Sequence, residues 1–131
     1  MWGLPESVRI LLFTAPTDMR KGFEGLTGLV RAAGEDVYGG ALFVFVSRRR
    51  DRLKILTFQK GGFVLWYKRL ERGRFKPTVT RDAGRVTMDS TDLCLLLEGI
   101  DVARVRRPKR WRPQPASEAS GRIGIDIREA S

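Results

Sequence analysis

Three observations predict an α+β fold. Stretches of β-branched, aliphatic and aromatic residues recur at residues 8–13, 42–47, 53–59, 63–70 and 85–88, one segment near residues 19–33 spaces its apolar residues as a helix does, and a lysine and two glycines separate two of the strand segments. The arrangement they predict is a small antiparallel sheet, a meander of three or more strands, packed by an N-terminal helix and a short C-terminal helix.

Each element has a local reason. Residues 8–13 form a first strand that Pro16 ends, and Thr17 and Asp18 offer side-chain oxygens to the free amides of a helix beginning near Met19. Phe23, Leu26, Val30 and Ala33 give that helix one apolar face. Gly22, Gly25 and Gly28 recur every third residue in it, a pattern that weakens a helix but admits close approach of another backbone. A phosphate-cradling loop is the functional alternative, although the spacing matches neither common phosphate-loop fingerprint. Gly39 and Gly40 close the following linker. The strand segments after it are divided by the charged RRRDR turn and by Lys60-Gly61-Gly62, whose glycines suit a tight hairpin. Asp89 and Ser90 are caps for a short helix carrying Leu93, Leu96, Leu97 and Ile100, with Gly99 near its stop.

A chain of 131 residues falls in the single-domain range. The domain is expected over residues 1–102. Residues 103–131 change to basic, proline-containing and small polar sequence and are expected to form a disordered tail, in which Ile123, Ile125 and Ile127 alternate as an edge strand would. No apolar run approaches the roughly 18 residues that span a bilayer, and residues 1–13 lack a basic leader and a cleavage site, so a cytoplasmic protein without membrane contact is expected. The single Cys94 excludes an internal disulfide and reads as core packing beside Leu93 and Leu95. With no histidine, neither the usual zinc clusters nor a histidine-activated nucleophile can be assembled, and no cofactor or metal is expected.

The net charge of +10 is unevenly placed. Arg48, Arg49, Arg50, Arg52 and Lys54 form one cluster, Lys60, Lys68, Arg69, Arg72, Arg74 and Lys76 a second, and Arg104, Arg106, Arg107, Lys109, Arg110 and Arg112 a third. Asp51 and Glu71 are the only anions among them, so the rest of the chain is net acidic. Segregation of this kind favours a polyanion-binding face, because a merely solvated surface mixes signs. In the segment VLWYKRLERGRF, Trp66, Tyr67 and Phe75 stand among Lys68, Arg69, Arg72 and Arg74, which combines stacking faces with phosphate-holding charge. Nucleic acid is the first partner this implies. The simpler alternative is a half-buried strand with its aromatics in the core.

The same residues admit three other chemistries. A two-metal nuclease needs converging carboxylates, but Asp18 and Asp89 fit helix starts, and Asp51 and Glu71 fit arginine partners. A metal-independent endoribonuclease of the small basic toxin type would use Tyr67, Arg69, Glu71 and Arg72, with Arg72 on the opposite strand face from the other three. A pure protein adaptor would use the basic face for an acidic partner.

Four blocks carry a family resemblance: TDMRKGFEGL at residues 17–26, LFVFVSRR at 42–49, KRLERGRF at 68–75 and LLLEGID at 95–101. In this order they resemble the TnpB, or Orf2-like, accessory proteins of the bacterial insertion-sequence family numbered sixty-six, over about residues 4–101. That family is distinct from the larger RNA-guided nucleases sharing the short name. The sequence departs from the pattern at residues 57–60, TFQK, and in the tail. The resemblance implies a small non-catalytic protein that assists DNA transposition alongside a large transposase, which supplies the acidic metal-binding triad, and a second accessory protein. On that reading Arg48, Arg49, Arg50, Arg52, Lys54, Lys68, Arg69, Arg72 and Arg74 hold the DNA backbone near the element's ends. Trp66 or Tyr67 stacks on an unpaired base, and Arg106, Arg107, Lys109 and Arg110 add affinity from the tail.

Overall fold

The computed structural model describes residues 8–77 and 84–100. The elements in chain order are β1 (Ile10–Phe13), α1 (Phe23–Ala32), β2 (Leu42–Val46), β3 (Arg52–Gln59), β4 (Gly62–Arg69), β5 (Arg85–Met88) and α2 (Ser90–Leu97). The tail expected over residues 103–131, with Arg106, Arg107, Lys109 and Arg110, lies outside the described residues.

The α+β class holds, but the sheet is mixed and is not a simple meander. Its strand order is β4-β3-β2-β1-β5. The β2-β3-β4 part is the antiparallel meander the hairpin signals implied. β1, however, lies parallel to β2, with Ile10 opposite Leu42 and Leu12 opposite Val44, and β5 closes the other side of β1 antiparallel. A parallel neighbour needs a long crossover, and residues 14–41 with α1 provide it. The periodicity of each strand is the same in either direction, so pattern alone did not separate the two topologies.

β2 is buried at all five positions, as its unbroken apolar run LFVFV requires of a strand covered on both faces. On one face Ile10, Leu12, Leu42, Val44, Val46, Leu53, Ile55 and Met88 pack with Leu93, Leu96 and Leu97 of α2 and with Phe75. On the other face Leu11, Phe43, Phe45 and Leu56 pack with Leu26 and Val30 of α1. Each face thus has its own core.

One hairpin turn and the caps of α2 show how local chemistry sets element ends. Lys60 and Gly61 both have positive φ, 47° and 84°, between the paired Gln59 and Gly62, the mirror-image turn that matches strand twist. α2 starts at Asp89, whose carboxylate accepts from the Asp92 N–H, and stops at Gly99, where φ is 80° and the Ile100 N–H returns to the Leu95 carbonyl at 3.0 Å.

Three local expectations are corrected. α1 begins at Phe23 rather than near Met19, because Asp18 takes the Arg20 N–H at 2.9 Å and closes a turn of its own, leaving extended Gly22 as the N-cap without a side-chain bond. The glycines of α1 do not admit another backbone: a Cβ at Gly22 or Gly28 would meet open space, and one at Gly25 only the Lys21 side chain. Cys94 is exposed, since the buried face of α2 runs through Leu93, Leu96 and Leu97 and the next position points away.

Candidate nucleic-acid interface

Because β1 and β2 are parallel, their carboxyl ends lie at one end of the sheet, the position where open α/β sheets gather ligand-binding loops. The Thr17 N–H donates to the Val46 carbonyl at 2.9 Å and draws the loop after β1 against the turn after β2. Between them lies a cavity of about 400 Å³ lined by Thr17, Asp18, Met19, Arg20, Ser47, Arg48, Arg49, Asp51 and Arg52. The first and second of the sequence blocks, TDMR and SRR, meet here.

The turn from β2 to β3 is held by its own polar atoms. The Ser47 N–H bonds the Arg52 carbonyl and the Arg50 N–H bonds the Ser47 carbonyl, each at 2.9 Å. The Arg52 N–H bonds the Ser47 hydroxyl at 3.1 Å, and that hydroxyl lies 3.3 Å from Asp51 Oδ1. Arg50 takes a φ of 65°, a left-handed conformation that completes the turn. With the backbone so occupied, the side chains of Arg48, Arg49, Arg50 and Arg52 are exposed.

The segment after β4 runs along this turn. The Leu70 N–H donates to the Asp51 carbonyl at 2.8 Å and the Phe75 N–H to the Arg50 carbonyl at 2.6 Å. Phe75 is fully buried, so it anchors the segment instead of offering a stacking face. Arg72 and Arg74 are left exposed beside the turn. Arg69 stands directly opposite Arg52 in the β3–β4 register, and Glu71 is its ion-pair partner at 3.4 Å. Like charges in opposed positions disfavour the sheet, an arrangement a polyanion would relieve. The arginines of the first two basic clusters therefore share one end of the sheet, and Arg20 extends them, whereas Lys60 sits at the opposite end in the β3–β4 hairpin turn.

Arg20 reaches this surface through Asp18. Its Nε and Nη2 donate to the Asp18 carboxylate, the shortest contact being 2.8 Å. The Arg20 side-chain bonds, and then its backbone N–H, hold the Asp18 carboxyl well below the usual carboxylate range, and the same contact raises Arg20. Asp18 stays ionised and holds the Arg20 guanidinium beside it at the cavity wall.

Two of the sequence-selected cations have their ammonium groups inside the fold. Lys54 is 8 % exposed, and its Nζ donates to the Met19 and Lys21 carbonyls, each at 2.8 Å. Lys68 Nζ donates to the Leu97 carbonyl at 2.8 Å and caps the carboxyl end of α2. Both hold parts of the fold together rather than facing outward with the arginines. Trp66 and Tyr67, adjacent in β4, fall on opposite faces. Tyr67 is half exposed above Lys54, while Trp66 packs partly against the α2-side core and lines a separate, largely apolar cavity of about 240 Å³ with Ile55, Thr57, Gln59 and Val64.

Sequence reasoning missed the loop residues Thr17, Asp18, Met19 and Arg20 as part of the site. The available signal was an arginine in a polar run just past a strand-ending proline. For the endoribonuclease alternative, Tyr67 and Arg69 share a face and Glu71 is paired with Arg69, but the cavity at this end is lined by other residues. Among the described residues no three His, Cys, Asp or Glu side chains are grouped to hold a metal ion, and no helix is long and apolar enough to cross a membrane.

Comparison with known proteins bears on the same residues. A family model described as IS66 Orf2 like protein matches residues 8–107, which takes in both segments of the basic surface. Two uncharacterized proteins of Sinorhizobium fredii (strain NBRC 101917 / NGR234) are similar along most of their length. y4jC is 38% identical over 114 residues, 86% of this chain and 97% of the relative, and y4hO is 36% identical over 110 residues, 82% and 92% respectively. No solved structure matches.

Proposed function

Because the chain belongs to the IS66 Orf2-like family, whose place is that of an accessory protein in transposition, we propose that it binds the DNA backbone of its element without performing chemistry itself. The observation that carries this reading is the convergence of Arg20, Arg48, Arg49, Arg50, Arg52, Arg69, Arg72 and Arg74, drawn from three separated stretches, on one end of one sheet. Their guanidinium groups suit bidentate contact with phosphate. The cavity at the carboxyl ends of β1 and β2 seats one stretch of backbone. Tyr67, at the rim of the same end, stacks on an unpaired base. The basic tail adds affinity without reading sequence. Strand cleavage and joining belong to the large transposase, which this protein accompanies with the second accessory protein in the cytoplasm.

Fluorescence anisotropy against labelled insertion-sequence ends and a scrambled duplex, each across a salt series, tests the reading. Five phosphate contacts give a log–log salt slope of about −4.5 on duplex DNA. Tighter binding to the end sequence marks a protein that helps choose the site, whereas equal binding marks a clamp targeted by the transposase. Absence of binding to either duplex at low salt overturns the proposal in favour of a protein adaptor.

A further inference from the structure

The outer edge of β4 is a second surface, running from the hairpin tip toward the arginine end. Among the described residues β4 pairs with β3 on one side and with no strand on the other. Residues along an antiparallel ladder direct their backbone groups alternately to the two sides. The Leu70 N–H points to β3, where it meets the Asp51 carbonyl, so the even-numbered residues of β4 face β3 and Phe63, Leu65, Tyr67 and Arg69 direct N–H and C=O outward. Edge strands of soluble proteins are commonly blunted by charge, proline or a bulge. Residues 62–67 have none of these: they carry no charge and no proline, and their register with β3 is unbroken. Val64, 46 % exposed, and Tyr67, 50 % exposed, flank this edge on its two faces.

We propose that β4 pairs antiparallel with β4 of a second copy of this chain, about a two-fold axis at Leu65, making one sheet continuous across both copies. Placement of charge selects this arrangement. Antiparallel pairing sends the two arginine-rich ends to opposite poles, on the order of 25 Å apart along the strand, beyond the Debye length of about 10 Å at 0.1 M salt. Parallel pairing would set Lys68 and Arg69 beside their own copies. With Leu65 opposite itself, Phe63 faces Tyr67, Val64 faces Trp66, and Lys68 faces Gly62. Moving the axis to Trp66 would instead set Arg69 against Phe63. The Leu65 register also brings Lys60, at the hairpin tip, within one position of Glu71 of the second copy, a pair of opposite sign. The dimer carries two cationic ends facing apart, so one assembly can hold two separate DNA segments. The backbone argument for pairing does not depend on DNA binding.

Sedimentation velocity on nucleic-acid-free protein tests the pairing. The protein is expected to be dimeric at high micromolar concentration. Tyr67→Pro deletes an outward N–H that the protomer's own sheet does not use, and is expected to give a monomer with unchanged far-ultraviolet circular dichroism. Val64→Lys, at a position already open to solvent, is expected to give the same monomer and serves if Tyr67→Pro does not fold. Val64→Cys in a Cys94→Ser background is expected to crosslink between copies with a short bis-maleimide. A wild-type protein that stays monomeric, or a dimer that survives both Tyr67→Pro and Val64→Lys, overturns the proposal. Monomeric Val64→Lys is expected to retain salt-dependent binding to a single duplex, so loss of pairing and loss of DNA binding are read separately.

Discussion

Lys54 and Tyr67 are cross-strand partners on β3 and β4, and the Lys54 ammonium lies 4.8 Å from the Tyr67 ring centroid while donating to the carbonyls of Met19 and Lys21. A cation that is nearly buried needs such partners, since water no longer solvates it. The consequence reaches the cavity, because the two carbonyls belong to the loop that carries Arg20. One lysine on the sheet thus holds the loop side of the arginine surface in place.

Lys54→Met is expected to lower stability by about 1–3 kcal/mol, because two carbonyls lose their donor. Urea unfolding measures this. DNA affinity is expected to fall through a displaced Arg20 loop, with a salt slope changed by no more than one contact. A loss of several contacts in the slope would mean that Lys54 reaches phosphate itself.

Alanine at Arg48, Arg49 or Arg52 is expected to leave the unfolding midpoint nearly unchanged, as these side chains are exposed and outside the core. Each that meets a phosphate is expected to reduce the magnitude of the salt slope by about 0.9 on duplex DNA. The loss should be similar on end and scrambled sequences, because phosphate contacts carry no base information.

Arg74 and Phe75 are neighbours with opposite expected behaviour. Phe75→Ala is expected to cost about 3–5 kcal/mol, as the side chain is fully buried in the α2-side core. Arg72→Ala with Arg74→Ala is expected to cost little stability and to weaken DNA binding. Parallel denaturation and anisotropy measurements on the two variants separate the anchor from the contacts it positions.

The affinity is expected to be flat between about pH 5.5 and 8 at fixed ionic strength, since the chain has no histidine to change charge there. Asp18 does not alter this. Its folded-state carboxyl is held below the ordinary value by Arg20, so its contribution is fully present above the unfolded carboxylate range and is lost only as pH falls through the depressed folded value. Anisotropy titrations across that pH window check the expectation, and Asp18→Asn is expected to weaken the hold on Arg20 at every pH in it.

Strand existence was legible in the sequence wherever side-chain alternation and turn chemistry agreed. Lys60-Gly61 gave a hairpin because few residues tolerate two successive positive φ angles, and Asp89 gave a helix start because a carboxylate can accept a free amide. Strand direction was not legible: residues 10–13 read alike in a parallel or an antiparallel neighbour. At the site, charge clustering found the arginines of both segments but could not separate them from Lys54 and Lys68. A lysine's partner is set by which face of the strand meets a carbonyl from a distant loop, and no local pattern encodes that. The contribution of Arg20 was hidden for the same reason, since residues 17–20 scan as a helix start and become a cavity wall only when β1 lies alongside β2.

The position of β1 also orders the folding of the chain. The β2-β3-β4 meander closes through short turns, so its contacts form with little loss of loop entropy. β1 must wait for the crossover to join it to β2, and its other flank stays open until β5, near the far end of the described chain, has been synthesised. On the ribosome, β1 therefore emerges before both strands it pairs with and is enclosed only after β5 has followed. Its run of Ile10, Leu11 and Leu12 is a natural segment for a chaperone to hold during that interval.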